Sequence, residues 1–299
     1  MADIYKQIDK ALLGLYSTDR RFLEELQEVK AYYEFYEGRP EALEDDLQDD
    51  RGQLWAVKDR DYRPTREIRN LTKKLIKKQG RFMTSVNPTI VVKSVDGVDP
   101  TVVDDKRIAL EKILDDGKFW NKFAKAFMDC TIGKRVLLAL VSEVDEQGKP
   151  VGDAPIKFRF YTMPEFLYEY DPNDCDKLIK VQIAYQDEST VGKLQNEQRW
   201  HKWIYEMRGE TCWCTYMVVD GTNTLAYATV PNVMSSSIAG EEQDEQQMQQ
   251  IAIKQEWDTG LSCIPCKVIF NDGLTGDVRG HSDIKDLMDM QTDYNKTIS

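Results

Sequence analysis

Hydrophobic residues recur at helical spacing in the first half of the chain. Spacings of three and four residues place apolar side chains on one face of a helix. They predict helices over residues 2–16, from Thr18 to Gly38, from Pro64 to Arg81, over 102–116 and over 119–132. The predicted inward residues are Phe22, Leu26, Val29, Tyr33 and Tyr36 in the second helix, Ile68, Leu71, Leu75 and Ile76 in the third, and Ile108, Ile113 and Leu114 in the fourth.

From residue 135 onward the apolar positions alternate with polar ones, which is the period of a half-buried strand. This alternation predicts strands over 135–142, 156–161, 166–170, 178–185, 198–207, 211–219, 224–229, 251–257 and 266–270, with an earlier strand over 89–94. Arg208-Gly209-Glu210 has the composition of a hairpin turn. The polar stretch 235–250 predicts a mobile loop. Helices, then antiparallel strands, then a final helix make an α+β fold.

The final helix is predicted over residues 282–299. Ser282 or Asp283 can cap it, and Asp283 and Asp286 place negative charge in its first turn, where the helix dipole favours it. Its inward stripe is Ile284, Leu287, Met288, Gln291, Tyr294 and Ile298. No stop signal follows Asn295. We therefore expect that the chain is cut inside a longer helix.

Net charge limits the classes of partner. The formal charge is -12, from 52 acidic and 40 basic residues. Tight binding of duplex DNA needs several Lys or Arg side chains on phosphates. The negative net charge therefore argues against a protein that binds DNA tightly, but it is compatible with a protein along which DNA slides. The mean hydropathy is -0.55. The sequence contains neither a signal-peptide pattern nor an apolar run of about 18 residues, so no membrane association is expected.

Two adjacent charge blocks have opposite signs. Residues 37–50 carry seven acids and one Arg, and residues 58–81 carry ten bases and three acids. The basic block could pair with the acidic block of its own or an adjacent subunit, contact DNA phosphates or an acidic partner, or be a solvated face. The candidate contact residues are Arg66, Arg69, Lys73, Lys77 and Arg81.

Cysteine and histidine patterns give little support to catalysis. The pair Cys263 and Cys266 has C-x-x-C spacing but precedes a strand, whereas a redox pair needs a helix terminus. Zinc would need a second pair, and Cys212-x-Cys214 has an atypical spacing. His201 lies in a Trp-flanked strand, where packing is the simpler role. The chain has no catalytic or phosphate-binding motif of a known kind, so we predict no enzyme activity, no metal and no cofactor.

Several short motifs follow one another in a recognisable order. The last are Ile264-Pro265, Val268-Ile269-Phe270-Asn271, Gly280-x-Ser282-Asp283 and Asp289-x-Gln291-x-Asp293-Tyr294-Asn295-x-x-x-Ser299. Upstream, Tyr36-Glu37-Gly38-Arg39-Pro40 closes a helix, and residues 164–171 read Pro-Glu-Phe-Leu-Tyr-Glu-Tyr-Asp. In this order the motifs resemble the amino-terminal part of portal (connector) proteins of long-tailed bacteriophages.

The resemblance implies three segments. Residues 1–60 would be an amino-terminal helical arm with an acidic linker, 61–281 the α+β wing domain, and 282–299 the truncated start of the stem helix. The residues at the start of the stem would be Ser282, Asp283, Leu287, Asp293, Tyr294 and Asn295. Stem, clip, tunnel loop and crown are expected after Ser299 and are absent. DNA contact, terminase docking and ring closure depend largely on those parts, so the resemblance leaves these three roles open.

The resemblance also implies a structural function. Portals form rings, usually dodecamers, at one capsid vertex of the virion, and serve DNA packaging, DNA ejection and head–tail joining. The implied partners are other portal subunits, the terminase large subunit, the major capsid or scaffold protein, a head-completion protein and non-specific double-stranded DNA in the channel. Synthesis would occur in the bacterial host cytoplasm.

Two other classes remain open. One is a cytosolic, non-enzymatic binding module that contacts an acidic partner through residues 58–81. The other is a metal- or thiol-dependent enzyme that uses the cysteines.

Overall fold

The structure, a computed structural model, describes residues 20–38, 69–86, 88–93, 100–141, 156–231, 248–272 and 277–298. The helices in these ranges are α1 Arg20–Glu37, α2 Leu71–Met83, α3 Pro100–Asp116, α4 Phe119–Gly133 and α5 Asp283–Ile298. The strands are β1 Arg135–Val141, β2 Lys157–Thr162, β3 Phe166–Asp171, β4 Asp174–Gln186, β5 Trp200–Arg208, β6 Thr211–Val219, β7 Tyr227–Pro231, β8 Met248–Ala252, β9 Lys254–Asp258 and β10 Cys266–Phe270. Short 3-10 turns span Met163–Glu165 and Glu188–Thr190. The α+β prediction is confirmed.

Some predictions fall outside the described residues. They are the helix over 2–16, the charged stretch 39–68 with Arg66 and Ile68, and residues 235–247 of the predicted loop.

The chain divides into two compact units. We call Glu165–Ile264 the sheet unit, and Asp19–Asp145, Pro150–Pro164 and Pro265–Ser299 the helical unit.

The sheet unit is built on one antiparallel sheet of order β3-β4-β5-β6-β9, with β7 and β8 paired separately. Gly209, at φ +67°, makes the turn between β5 and β6, as the sequence predicts. Since side chains alternate along each strand, the registers place Phe166, Val181, Ile183, Tyr205 and Cys214 on one face. All five are buried and form the core of this unit.

The helical unit is organised around α4. This helix packs on α1, α2, α3 and α5 and on β1 and β2, and the three-stranded antiparallel sheet has the order β10-β1-β2. At its amino-terminal end, Phe119 meets Phe158 with ring centroids 5.0 Å apart and stacks on Phe123 at 5.8 Å. Aromatic pairs of this geometry add to the energy of burial.

The predicted inward stripe of α1 is confirmed. Phe22, Leu26, Val29, Tyr33 and Tyr36 are all buried. The helix ends as expected at Gly38, whose φ is +72°. A Cβ at Gly38 would lie 2.8 Å from the side-chain nitrogen of Asn70, so both the backbone angle and the space favour glycine there.

The start of α2 was predicted wrongly. The helix begins at Leu71 rather than near Pro64, because Asn70 is non-helical and its Oδ1 accepts a 2.8 Å bond from the backbone N–H of Lys73. The inward face is formed by Thr72, Ile76 and Gly80, so Leu75, predicted inward, is 51% exposed. A Cβ at Gly80 would lie 2.8 Å from Met128 Cγ, so close packing on α4 selects this face.

Three further predictions need correction. Residues 89–93 form no strand, since no neighbouring strand pairs with them among the described residues. Ile108 is exposed, because α3 packs against α4 through other positions. The strand predicted over 251–257 is two strands, β8 and β9, and Met248–Gln250 belong to β8 rather than to a loop.

A buried ion pair joins α1 to β1. Arg135 is 2% exposed and Glu25 is 7% exposed. Their guanidinium and carboxylate groups form two parallel 2.8 Å hydrogen bonds, and Arg135 Nη1 also donates to the carbonyl of Arg279 at 2.9 Å. Lys134 adds a second positive charge, with its Nζ 2.5 Å from Glu28 and 3.7 Å from Glu25. Bidentate pairs of this kind fix relative orientation as well as adding energy.

We predict that Glu25→Gln lowers the free energy of unfolding of the helical unit by about 3 kcal/mol, because removing one partner leaves a buried charge without compensation. Urea unfolding followed by circular dichroism measures this change. The matched control is Glu34→Gln, which breaks the solvent-accessible Lys30–Glu34 pair on the same helix and should cost about 0.5 kcal/mol or less. Equal losses in the two variants would contradict the assigned role of the buried pair.

Candidate functional site: the basic helix and the base of the last helix

The segment leading into α5 is held by Asn271, at the end of β10. Its backbone N–H donates to the Lys134 carbonyl at 2.8 Å, and its carbonyl accepts from the His281 N–H at 2.8 Å. Its side-chain amide donates to the carbonyl of His281 at 2.8 Å and to Asp283 Oδ1 at 2.7 Å. One residue therefore ties the strand, the end of α4 and the first turn of α5 together.

Gly280 and Ser282 complete this junction. Gly280 has φ +72°, and a Cβ there would lie 2.5 Å from the Lys134 carbonyl oxygen and 2.9 Å from that of Asn271, so a side chain would force the backbone apart. Ser282 is buried; its hydroxyl donates to the Ile132 carbonyl at 2.7 Å and accepts from the Ile284 N–H at 3.2 Å. Ser282 thus caps α5 and anchors it to α4 at once.

The described part of α5 packs on its own unit. Ile284 and Gln291 are buried, and Leu287, Met288 and Tyr294 are half-buried, whereas Asp293 is exposed. The helix contacts α1, α2 and α4. The side chains of Asn295 and Ile298 lie outside those that the structure describes.

Gln291 links α5 to the amino terminus of the basic helix. It is 4% exposed. Its Oε1 accepts from the backbone N–H groups of Leu71 at 2.7 Å and Thr72 at 3.2 Å, and its Nε2 donates to the Arg69 carbonyl at 2.6 Å. A helix terminus leaves such N–H groups without intrahelical partners, and here a glutamine 219 and 220 residues away satisfies two of them. The sequence places Gln291 on the inward stripe, but the capping role was missed; its only signal is one polar residue among apolar ones.

A second side chain fixes the same helix end. Asn70 caps the helix through Lys73, as described above, and its Nδ2 donates to the Tyr36 carbonyl at 2.8 Å. The amino terminus of α2 is therefore bound to both α1 and α5.

The candidate contact residues have different surroundings. Lys73 Nζ lies 2.7 Å from Glu37 Oε2 and 5.2 Å from the centroid of the Tyr36 ring. Glu37 is the first acid of the acidic block, so one positive charge of the basic block pairs within the chain. Arg69 is exposed, and its carbonyl is held by Gln291.

Lys77 and Arg81 lie one and two turns further along α2. Both are exposed, and neither forms an ion pair with another residue in the described ranges. They line a pocket of about 220 Å³ together with Gly80, Thr84, Ala124 and Met128. The next residue, Phe82, is 79% exposed. The carboxyl end of α2 thus presents positive charge beside apolar surface.

The five described thiols are mostly buried and do not form a metal-binding group with one another. Cys130, Cys212 and Cys214 are buried, Cys266 is half-buried and Cys263 is exposed. Burial raises the pKa of Cys130 and of Cys214 to about 12, which keeps both protonated at neutral pH. Within the described ranges, no three His, Cys, Asp or Glu residues lie close enough to hold a metal ion.

His201 has the surroundings of a packed ring. Its Nδ1 lies 2.8 Å from the Tyr216 hydroxyl, and its ring stacks on Tyr185 with centroids 5.2 Å apart. Among the described residues we also find no helix with the length and apolarity needed to cross a membrane.

Comparison with known protein families gives a match over most of the chain. A family model described as "Phage portal protein, SPP1 Gp6-like" matches residues 18–299. This range begins just before α1 and includes both units and all of α5. No curated protein matches the chain.

We predict that Gln291→Met lowers the free energy of unfolding by about 2 kcal/mol, because it removes three hydrogen bonds of a buried amide, including the side-chain acceptor of the Thr72 N–H. Urea unfolding measures the loss. Gln79→Met is the matched control, since Gln79 is exposed on α2 and its Nε2 is 3.4 Å from Asp283; it should change stability by less than about 0.5 kcal/mol. If the two variants unfold at the same urea concentration, Gln291 does not cap the helix.

Proposed function

The chain belongs to the phage portal protein family of the SPP1 Gp6-like type, and we propose that it supplies the part of a portal subunit that packs against neighbouring subunits and directs the first stem helix. The family match over residues 18–299 is the observation that carries this proposal. The family is a structural one, so we propose that the chain acts through contacts with other proteins rather than through catalysis. Residues 61–281 would form the wing and 282–299 the start of the stem.

The base of α5 supports the role in directing a stem helix. A helix that lines a shared channel must leave its domain at a fixed angle, because any freedom there would be repeated in every subunit. Asn271 and Ser282 hold that angle through hydrogen bonds to Lys134, the residue after α4, and to Ile132 of α4, and Gly280 allows the close approach of the backbone there. Asp283 and Asp286 add favourable charge at the helix amino terminus.

The carboxyl end of α2 supports the role in subunit packing. Lys73 already pairs with Glu37 of its own chain, so Lys77 and Arg81 are the better candidates for a contact with another subunit. The chain carries a net charge of -12, and an identical neighbour would therefore offer many carboxylates. Exposed charges beside an apolar patch are typical of the rim of a protein interface.

The wider partners follow from membership of the family. We propose that the chain forms a ring, a dodecamer by analogy, at the capsid vertex of the virion. The terminase large subunit, the capsid or scaffold protein and a head-completion protein would meet such a ring, and double-stranded DNA would pass through it. The acidic balance fits a channel that does not grip DNA.

The test is the assembly state of the protein. Native mass spectrometry and negative-stain electron microscopy of the purified chain should show closed rings. The double variant Lys77→Glu with Arg81→Glu should raise the concentration for half-assembly by about tenfold or more, equivalent to about 1.4 kcal/mol. The matched control is Lys106→Glu with Lys112→Glu, two exposed lysines on α3, which should change it by less than about twofold.

Two outcomes would contradict parts of this proposal. A wild-type chain that stays monomeric at every accessible concentration would overturn ring formation by this chain on its own. Rings that form equally well in the two double variants would overturn the contact assigned to Lys77 and Arg81.

A further inference from the structure

The sheet unit contains a lysine-lined pocket on the face opposite its core. In the register of the sheet, Lys202 of β5 is opposite Met217 of β6, and Met217 is opposite Lys254 of β9. Directly paired residues share a face, so the two lysines flank Met217 on one side of the sheet. The pocket has a volume of about 310 Å³ and is lined by Gln182, Lys202, Ile204, Met217, Val219, Asn223, Leu225 and Lys254.

Lys202 is unusual for a lysine because it is 4% exposed. Its ammonium group bonds to Asn223 Oδ1, which is a neutral acceptor. Buried ammonium groups are normally paired with an acid, since losing hydration without a counter-charge is costly. Among the described residues, no carboxylate lines the pocket or forms an ion pair with Lys202.

The partner of Lys202 is held in place by a tight turn. Asn223 has φ +68° and its N–H donates to the Asp220 carbonyl at 3.0 Å. The Asp220 side chain accepts from the N–H groups of Thr222 at 2.8 Å and Thr224 at 2.9 Å. The acceptor is thus preorganised, and the remaining two N–H bonds of the ammonium group are available to a ligand.

We propose that this pocket binds a small carboxylate ligand with an apolar body, whose carboxylate lies between Lys202 and Lys254. Lys254 is exposed at the rim and has no ion-pair partner among the described residues. The carboxylate would supply the missing counter-charge to both ammonium groups. Charge-assisted hydrogen bonds of this kind are among the strongest polar contacts.

The lining favours a carboxylate with an apolar body over a bare inorganic anion. Ile204, Met217, Val219 and Leu225 make half of the lining residues apolar. An apolar body would cover them, whereas phosphate would leave them in water. Pockets that combine an apolar lining with a few placed polar groups are typical of small-molecule sites.

The titration of Lys202 agrees with this geometry. Burial lowers the pKa of its ammonium group to about 8, and no neighbouring charge offsets the effect. The site therefore holds a positive charge that lacks a counter-charge and that an anion would stabilise.

The test is a titration followed by NMR of the Met217 methyl group in the intact chain. Butyrate is the carboxylate probe, inorganic phosphate is the bare-anion probe, and ethylammonium is the cation control. We expect a saturable shift with butyrate, a binding constant at least about tenfold weaker for phosphate, and no shift with ethylammonium. Saturation by phosphate as strong as by butyrate would overturn the assignment of an apolar carboxylate.

Variants identify the groups that bind. Lys202→Met removes the buried charge at nearly constant volume and should weaken butyrate binding by about tenfold or more. Lys254→Met, at the exposed rim, should weaken it about threefold without affecting folding. Lys193→Met, an exposed lysine outside the pocket, is the matched control and should bind as the wild type does.

The readout does not depend on ring formation, so this inference and the proposed function can fail separately. If Lys202→Met does not fold, Lys254→Met still decides the question, because its lysine is exposed. Binding that is equal in wild type, Lys254→Met and Lys193→Met, or no saturable shift with butyrate, would overturn the inference.

Discussion

The helical unit depends most on the buried pair of Glu25 and Arg135. Arg135 is the first residue of β1. Its guanidinium group bonds to Glu25 of α1 and to the carbonyl of Arg279, in the segment that leads to α5. Desolvating these charges is tolerated only when every partner is in place. The pair therefore makes the positions of α1, β1 and residues 277–280 conditional on one another, which a purely apolar contact would not do.

The same region fixes the last helix. Ser282 donates a hydrogen bond to the carbonyl of Ile132, and Asn271 donates one to the carbonyl of Lys134. Both carbonyls belong to the three residues that precede Arg135. Gln291 then joins α5 to the start of α2. For a member of a portal family, we propose that this arrangement would give each subunit a preset direction of α5 and a basic helix whose carboxyl end remains exposed. The shape of the subunit and the direction of α5 would then be set by contacts within the subunit, before subunits assemble.

Much of the fold could be predicted from the sequence, because burial follows the periods of helix and strand. The stripe of α1 and the hairpin at Gly209 are examples. The predictions failed at α2, where the adjacent Asn70 and the distant Gln291 set the start of the helix and the distant Met128 selects Gly80 rather than Leu75 for its inner face. The segment 89–93 has strand propensity but no partner strand among the described residues. Asn271 and Ser282 appear in motifs, yet only the fold shows that they converge.

Native-state hydrogen exchange tests most directly whether α5 is part of the cooperative helical unit. The amide protons of Ile284, which bonds to Ser282, and of Leu71, which bonds to Gln291, would be compared with that of Leu137 in β1. We predict opening free energies within about 1 kcal/mol of one another, since all three open only when the unit unfolds. Much faster exchange at Ile284 and Leu71, with Leu137 still protected, would show that α5 moves independently and would contradict a preset helix direction.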